Sequence, residues 1–63
     1  MSDAEWVVEH WNELAKRYAG KYVAVYKGEV IAHGDFGEVY RRVKELGVDA
    51  VIKYVFPSEI VVL

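Results

Sequence analysis

The stretch that constrains this chain most is residues 21–34, KYVAVYKGEVIAHG, two runs of β-branched and aromatic residues hinged on Lys27 and Gly28. Residues 22–26 and 29–33 both hold the side chains that suit a pleated, half-buried strand. Gly28 offers the positive φ that a tight hairpin turn demands. A two-residue loop puts Tyr26 opposite Glu29, and the register then runs Val25–Val30, Ala24–Ile31, Val23–Ala32 and Tyr22–His33. Alternation sorts these residues into two faces. Val23, Val25, Val30 and Ala32 make an aliphatic face, expected beneath the helices. Tyr22, Ala24, Tyr26, Glu29, Ile31 and His33 make a mixed face, expected to stay at least partly open.

Before the hairpin, Ser2 and Glu5 are spaced as a capping box, the hydroxyl and the carboxylate each able to satisfy a free N–H. Asp3 and Glu5 also suit the positive end of a helix dipole. The spacing predicts one helix running to about Ala19, stopped by Gly20. Ala4, Val7, Val8, Trp11, Leu14, Ala15 and Tyr18 share one side of it and form the expected core stripe. Trp6, His10, Glu13 and Arg17 fall on a neighbouring flank. Trp6 is therefore expected to need a partner outside the core.

After the hairpin, Asp35 and Glu38 repeat the capping-box logic at the start of a second helix. Phe36, Val39, Tyr40, Val43 and Leu46 give it a buried stripe, and Gly47 ends it. Residues 51–56 read as a third strand, with Val51, Lys53 and Val55 on the open face and Ile52, Tyr54 and Phe56 on the core face. Pro57 closes it, since proline cannot donate to a ladder. Residues 60–63 are apolar enough to suggest a short fourth strand, on this sheet or on a partner's edge. The expected fold is α+β, α-β-β-α-β with a possible final strand. It is a mainly antiparallel sheet of three or four strands, order 2-1-3, with two helices on one face. A chain of 63 residues has room for a single domain over residues 1–63.

The run from Gly20 through Val25, then Gly28 through Gly34, an amphipathic helix ending at Leu46 and Gly47, and a strand closing in Phe56 and Pro57 resemble a family of short prokaryotic domains of unknown function. Its members share a G-K-[YW]-V-A-V … G-x-V-x-A-x-G hairpin core. The likeness covers about residues 18–63. It implies the same small α+β fold and supplies no catalytic residue.

Composition narrows the function classes. The net charge of −2 leaves no basic footprint for nucleic acid or an anionic membrane. No apolar run approaches the ~20 residues of a membrane span. The first residues lack the basic and apolar regions of a secretory signal, so a cytoplasmic setting is expected. The absence of Cys, Thr and Gln resembles thermophile composition. A hydrophobic content of 54% is hard to hide in so small a body, and exposed apolar patches mark interfaces. Self-association as a homodimer is thus the first functional expectation, and a different protein partner the second.

Residue-level chemistry is sparse. Residues 34–40, GDFGEVY, imitate the glycine-rich loop and metal-binding triplet of protein kinases, but here they start a helix in a chain far too short for that machinery. A phosphate at this helix N-terminus would meet the Asp35 carboxylate. His10 and His33 show no metal-ligand spacing and are expected on opposite sides of the sheet. Ser2 and Ser58 have a cap and a turn to make, and no base stands beside either. No catalytic residue, metal or cofactor is therefore expected. The alternatives are a ligand-binding or enzymatic site around His33 and Asp35, or single-stranded nucleic acid with bases stacking weakly on Tyr22 and Tyr26. The interface candidates are Trp6, Tyr22, Tyr26, Ile31, His33, Val51, Lys53 and Val55.

Overall fold

The chain starts its first helix as the sequence dictates. The Ser2 hydroxyl accepts from the Glu5 N–H at 3.2 Å, and the Ser2 N–H donates to the Glu5 carboxylate at 3.1 Å. The computed structural model describes residues 2–57, which form α1 (Asp3–Glu9), α2 (Trp11–Tyr18), β1 (Lys21–Tyr26), β2 (Glu29–Gly34), α3 (Phe36–Leu46) and β3 (Val51–Val55). The fourth strand expected over residues 60–63 lies outside the described residues.

The first helix is not continuous. His10 sits between α1 and α2 with φ −105° and ψ 18°. Its ring Nδ1 lies 2.9 Å from the Trp6 carbonyl, the oxygen that also accepts the His10 backbone N–H. The backbone bond from His10 to Trp6 persists at 3.0 Å, so the ring nitrogen shares that acceptor and does not displace the ladder bond. The break turns the apolar stripe toward Trp6. Val7 and Leu14 are buried and Trp6, Trp11, Ala15 and Tyr18 pack around them, whereas Val8 is 74% exposed and Ala4 is exposed.

The hairpin turns on Lys27 and Gly28, both at positive φ (51° and 75°), as a type I′ loop requires. Tyr26–Glu29 and Val25–Val30 pair as the loop length dictates. The register then shifts, so that Ala24 pairs with Ala32, Val23 with His33 and Tyr22 with Gly34. A bulge on β2 takes up Ile31 and exchanges the faces of Ala32 and His33. β3 joins the far side of β1, antiparallel and without interruption, giving the order β2-β1-β3.

The sheet is covered on both sides, which corrects the expectation of two helices on one face. Val23, Val25 and Val55 form a core with Val7 and Leu14 of α1 and α2. On the opposite face Tyr22 meets Phe36 of α3, and Ala24 and Val39 are fully buried outside that core. Strand pairing fixes the rest: Val51, Lys53 and Val55 share the α1/α2 face, while Ile52 and Tyr54 share the α3 face. The assignment of β3 is thus the reverse of the expected one. The hairpin was aligned correctly near its turn, but β3 carries its fully buried valine toward α1 and α2.

One long-range tie joins the helical layer to the hairpin. The Asp3 carboxylate accepts from the backbone N–H groups of both Lys27 and Gly28, each at 3.0 Å. Above the same turn, the Trp6 ring stands 3.6 Å from where a Gly28 Cβ would lie. Asp3→Ala leaves two turn donors to water and is expected to cost about 1–2 kcal/mol in urea unfolding, with an unchanged m-value. An unshifted midpoint would show that the clamp contributes nothing.

Candidate functional site

Two short connections decide which surface is left open. The chain passes from β2 through α3 to β3, across the intervening β1, and right-handedness of such a crossover fixes the face α3 must take. Eleven residues of helix lie over β2 and β1 and scarcely reach β3. The α3-side face of β3 is therefore bare of helix among the described residues.

Aromatic side chains gather along that boundary. Tyr40 stacks on Phe36 with centroids 5.9 Å apart, and Phe36 meets Tyr22 edge-on at 5.3 Å. Tyr22 meets Tyr54 at 5.0 Å, and Tyr54 meets Phe56 edge-on at 5.2 Å. Five rings thus run unbroken from α3, across β1, to the end of β3. Tilted and edge-on arrangements are the favoured ones for such pairs. The strip faces solvent at its ends, with Phe36 50%, Tyr40 49% and Phe56 61% exposed. On α3 the Lys44 Nζ stands 5.6 Å from the Tyr40 ring centre.

The sequence candidates fall elsewhere, except one. Tyr22 is the middle ring of the strip. Tyr26 lies under the Lys27 ammonium, 5.6 Å from its ring centre, and apart from the strip. Trp6 finds its partners inside the chain, stacking on His10 at 4.1 Å and packing against the core. Val55 is fully buried and Val51 half-buried on the α1/α2 face, so neither lies on the open face expected of them. Lys53 is exposed, also on that face. Phe36, Tyr40, Tyr54 and Phe56 were assigned to the core instead. The contiguous apolar run Val23, Ala24, Val25 was the signal that could have relocated them, because a strand apolar on both faces calls for cover on both.

The His33 and Asp35 region is also resolved into parts. His33 leans on Tyr18 of α2, centroids 4.9 Å apart, so it shares the α1/α2 side with His10 rather than opposing it. Asp35 precedes α3 as its cap residue, but its side chain makes no capping hydrogen bond. The box with Glu38 does not form. A hollow of about 630 Å³ runs between the β2 edge and the outer side of α3, lined by Tyr18, Ile31, His33, Glu38, Arg41 and Arg42 among others. It is wide and polar, with both signs of charge. Among the described residues no group of three or more acidic, His or Cys side chains is placed to hold a metal, and no helix is long and apolar enough to cross a membrane.

The model of a family described as "Family of unknown function (DUF5678)" matches residues 13–58, well over half of the sequence. No curated protein and no solved structure matches it. The matched span begins in α2 and takes in the whole sheet, α3 and every ring of the strip.

The strip should behave as a coupled unit. A double-mutant cycle of Tyr22→Ala and Phe36→Ala is expected to show an interaction of about 0.5–1.5 kcal/mol in unfolding free energy. Simple additivity would mean that the rings are neighbours without mutual stabilisation.

Proposed function

The chain belongs to a family of unknown function, DUF5678, so its role has to be sought in its own surfaces, and we propose that it is a small, non-enzymatic protein–protein interaction module that self-associates. The observation that carries this is the aromatic strip. A domain of 63 residues buries only about 60% of its unfolded surface, and 54% of these residues are hydrophobic. Here five rings form one continuous band, in which Phe36, Tyr40 and Phe56 are about half exposed or more and Tyr22 and Tyr54 are half-buried between them. Bands of that kind mark docking sites, and Tyr and Phe are enriched in interface cores.

Self-association suits the band better than a strongly charged partner. The rings carry no charge, and the Lys44 ammonium is drawn over the Tyr40 ring face. Two copies related by a two-fold axis would each cover the other's rings with an apolar surface, as isologous contacts do. A net charge of only −2 on each copy adds little repulsion to that approach.

Light scattering at high micromolar concentration is expected to give twice the chain mass of 7.2 kDa. Phe56→Ser removes an exposed ring and is expected to return the mass to that of one chain while circular dichroism keeps its helix and sheet signals. A single-chain mass for the unaltered protein would contradict the proposal.

A further inference from the structure

The two edges of the sheet are unlike, and the difference points to how two copies meet. β2 is interrupted by its bulge, and bulges at an edge spoil it as a template for further strands. β3 pairs with β1 in unbroken register from Val51 to Val55, and its other side carries no strand among the described residues. That edge also borders the bare part of the α3-side face, where Ile52 and Tyr54 stand. Among the described residues, one strand therefore offers a regular backbone edge and an uncovered apolar row together.

We propose that the occupant of the β3 edge is the β3 of a second copy, paired antiparallel about a two-fold axis through Ile52. The pairing deepens the self-association proposed above and depends on it. Such an axis, perpendicular to the joined sheets, brings residues of one face opposite residues of that same face. The axis can then pass through Ile52, Lys53 or Tyr54, and charge chooses among them. At Lys53 two ammonium groups would stand directly opposed, which is destabilising. At Tyr54 each Lys53 would face Val55 of the other copy with no counter-charge near it.

At Ile52 the chemistry closes. Lys53 lies opposite Val51 of the other copy, with that copy's Lys53 on one diagonal and its Asp49 on the other. Each ammonium thus has a counter-charge within reach of a long side chain, which the Tyr54 axis, with the same Lys53 diagonal, does not offer. A lone lysine on an edge ordinarily discourages pairing; here Asp49, four residues before it, supplies the opposite charge twice over. On the α3-side face, Ile52 meets Ile52, Tyr54 lies over the small Ala50, and Phe56 lies over Val48. Every pair in that row is apolar, and the large rings fall opposite smaller side chains. The pairing lengthens β3 back to Val48 and carries the two aromatic strips into one continuous surface of six strands.

The chain has no cysteine, so single cysteines report the register cleanly. Opposed residues of an antiparallel pair have Cα atoms roughly 4.5–5.5 Å apart, inside the span a disulfide bridges. Ile52→Cys is expected to cross-link into a covalent dimer under mild oxidation, at least ten times faster than Lys53→Cys or Tyr54→Cys. Faster cross-linking of either of those would overturn the register. A dimer by mass in which none of the three cross-links would place the contact elsewhere and overturn the strand pairing, leaving self-association standing. A single-chain mass would overturn both. As a second arm, Asp49→Lys is expected to weaken the dimer about 2–5-fold in sedimentation equilibrium, and adding Lys53→Asp to restore it. Failure of the second change to restore affinity would remove the charge pairing from the proposal.

Discussion

Val23, Ala24 and Val25 have no solvent-exposed surface, and the rest of the structure follows from that burial. Consecutive residues of a strand point to opposite faces. Three in a row can be dry only if β1 is central and both faces are roofed. Among the described residues, both roofs are built from three short helices. On one side α1 and α2 supply Val7 and Leu14, and the Asp3 carboxylate holds their start to the hairpin turn. On the other side α3 supplies Val39. A single helix is about 10 Å across, roughly two strand spacings, so α3 covers β2 and β1 and, among the described residues, the outer row of β3 is left bare. The exposed aromatic strip is thus the consequence of roofing a three-stranded sheet with one helix on that face.

Much of this was legible in the residues. The I′ turn, the Ser2–Glu5 box, the Gly47 stop with φ 68° and the strand order are local or follow from chain handedness. Each depends on one or two residues with narrow backbone preferences. What escaped were the features that set phase. The bulge at Ile31 carries no glycine or proline to announce it, yet it exchanged the faces of Ala32 and His33. The His10 break, where the ring nitrogen shares the Trp6 carbonyl with the backbone N–H, also has no glycine or proline to announce it, and the buried stripe takes in Trp6 and leaves Val8 out. Period-2 and period-3.6 patterns are clear within an element but do not say which face of a sheet a later element will take. β3 was therefore placed in the right position with its sides reversed.

The reversal moves the candidate site. An open face built on Tyr26, Ile31 and His33 gives way to a strip through Tyr40, Phe36, Tyr22, Tyr54 and Phe56, of which only Tyr22 was singled out beforehand. Membership of a family of unknown function assigns no chemistry to any of these rings. Their exposure, their continuity and their place beside an unbroken strand edge favour a role in contact between chains. In that account the stability of the domain and its function share one cause, since the helix that is too narrow to close the fold leaves the surface through which a second copy completes it.

Hydrogen exchange of the backbone amides, followed across protein concentration, tests that account most directly. The amides of β1 should be the slowest at every concentration, opening only with global unfolding. The outward amides of β3 should exchange fast in dilute solution and become protected as concentration rises. Protection of β3 that does not change with concentration, or concentration-dependent protection confined to β2, would contradict the claim that β3 is the edge on which two copies join.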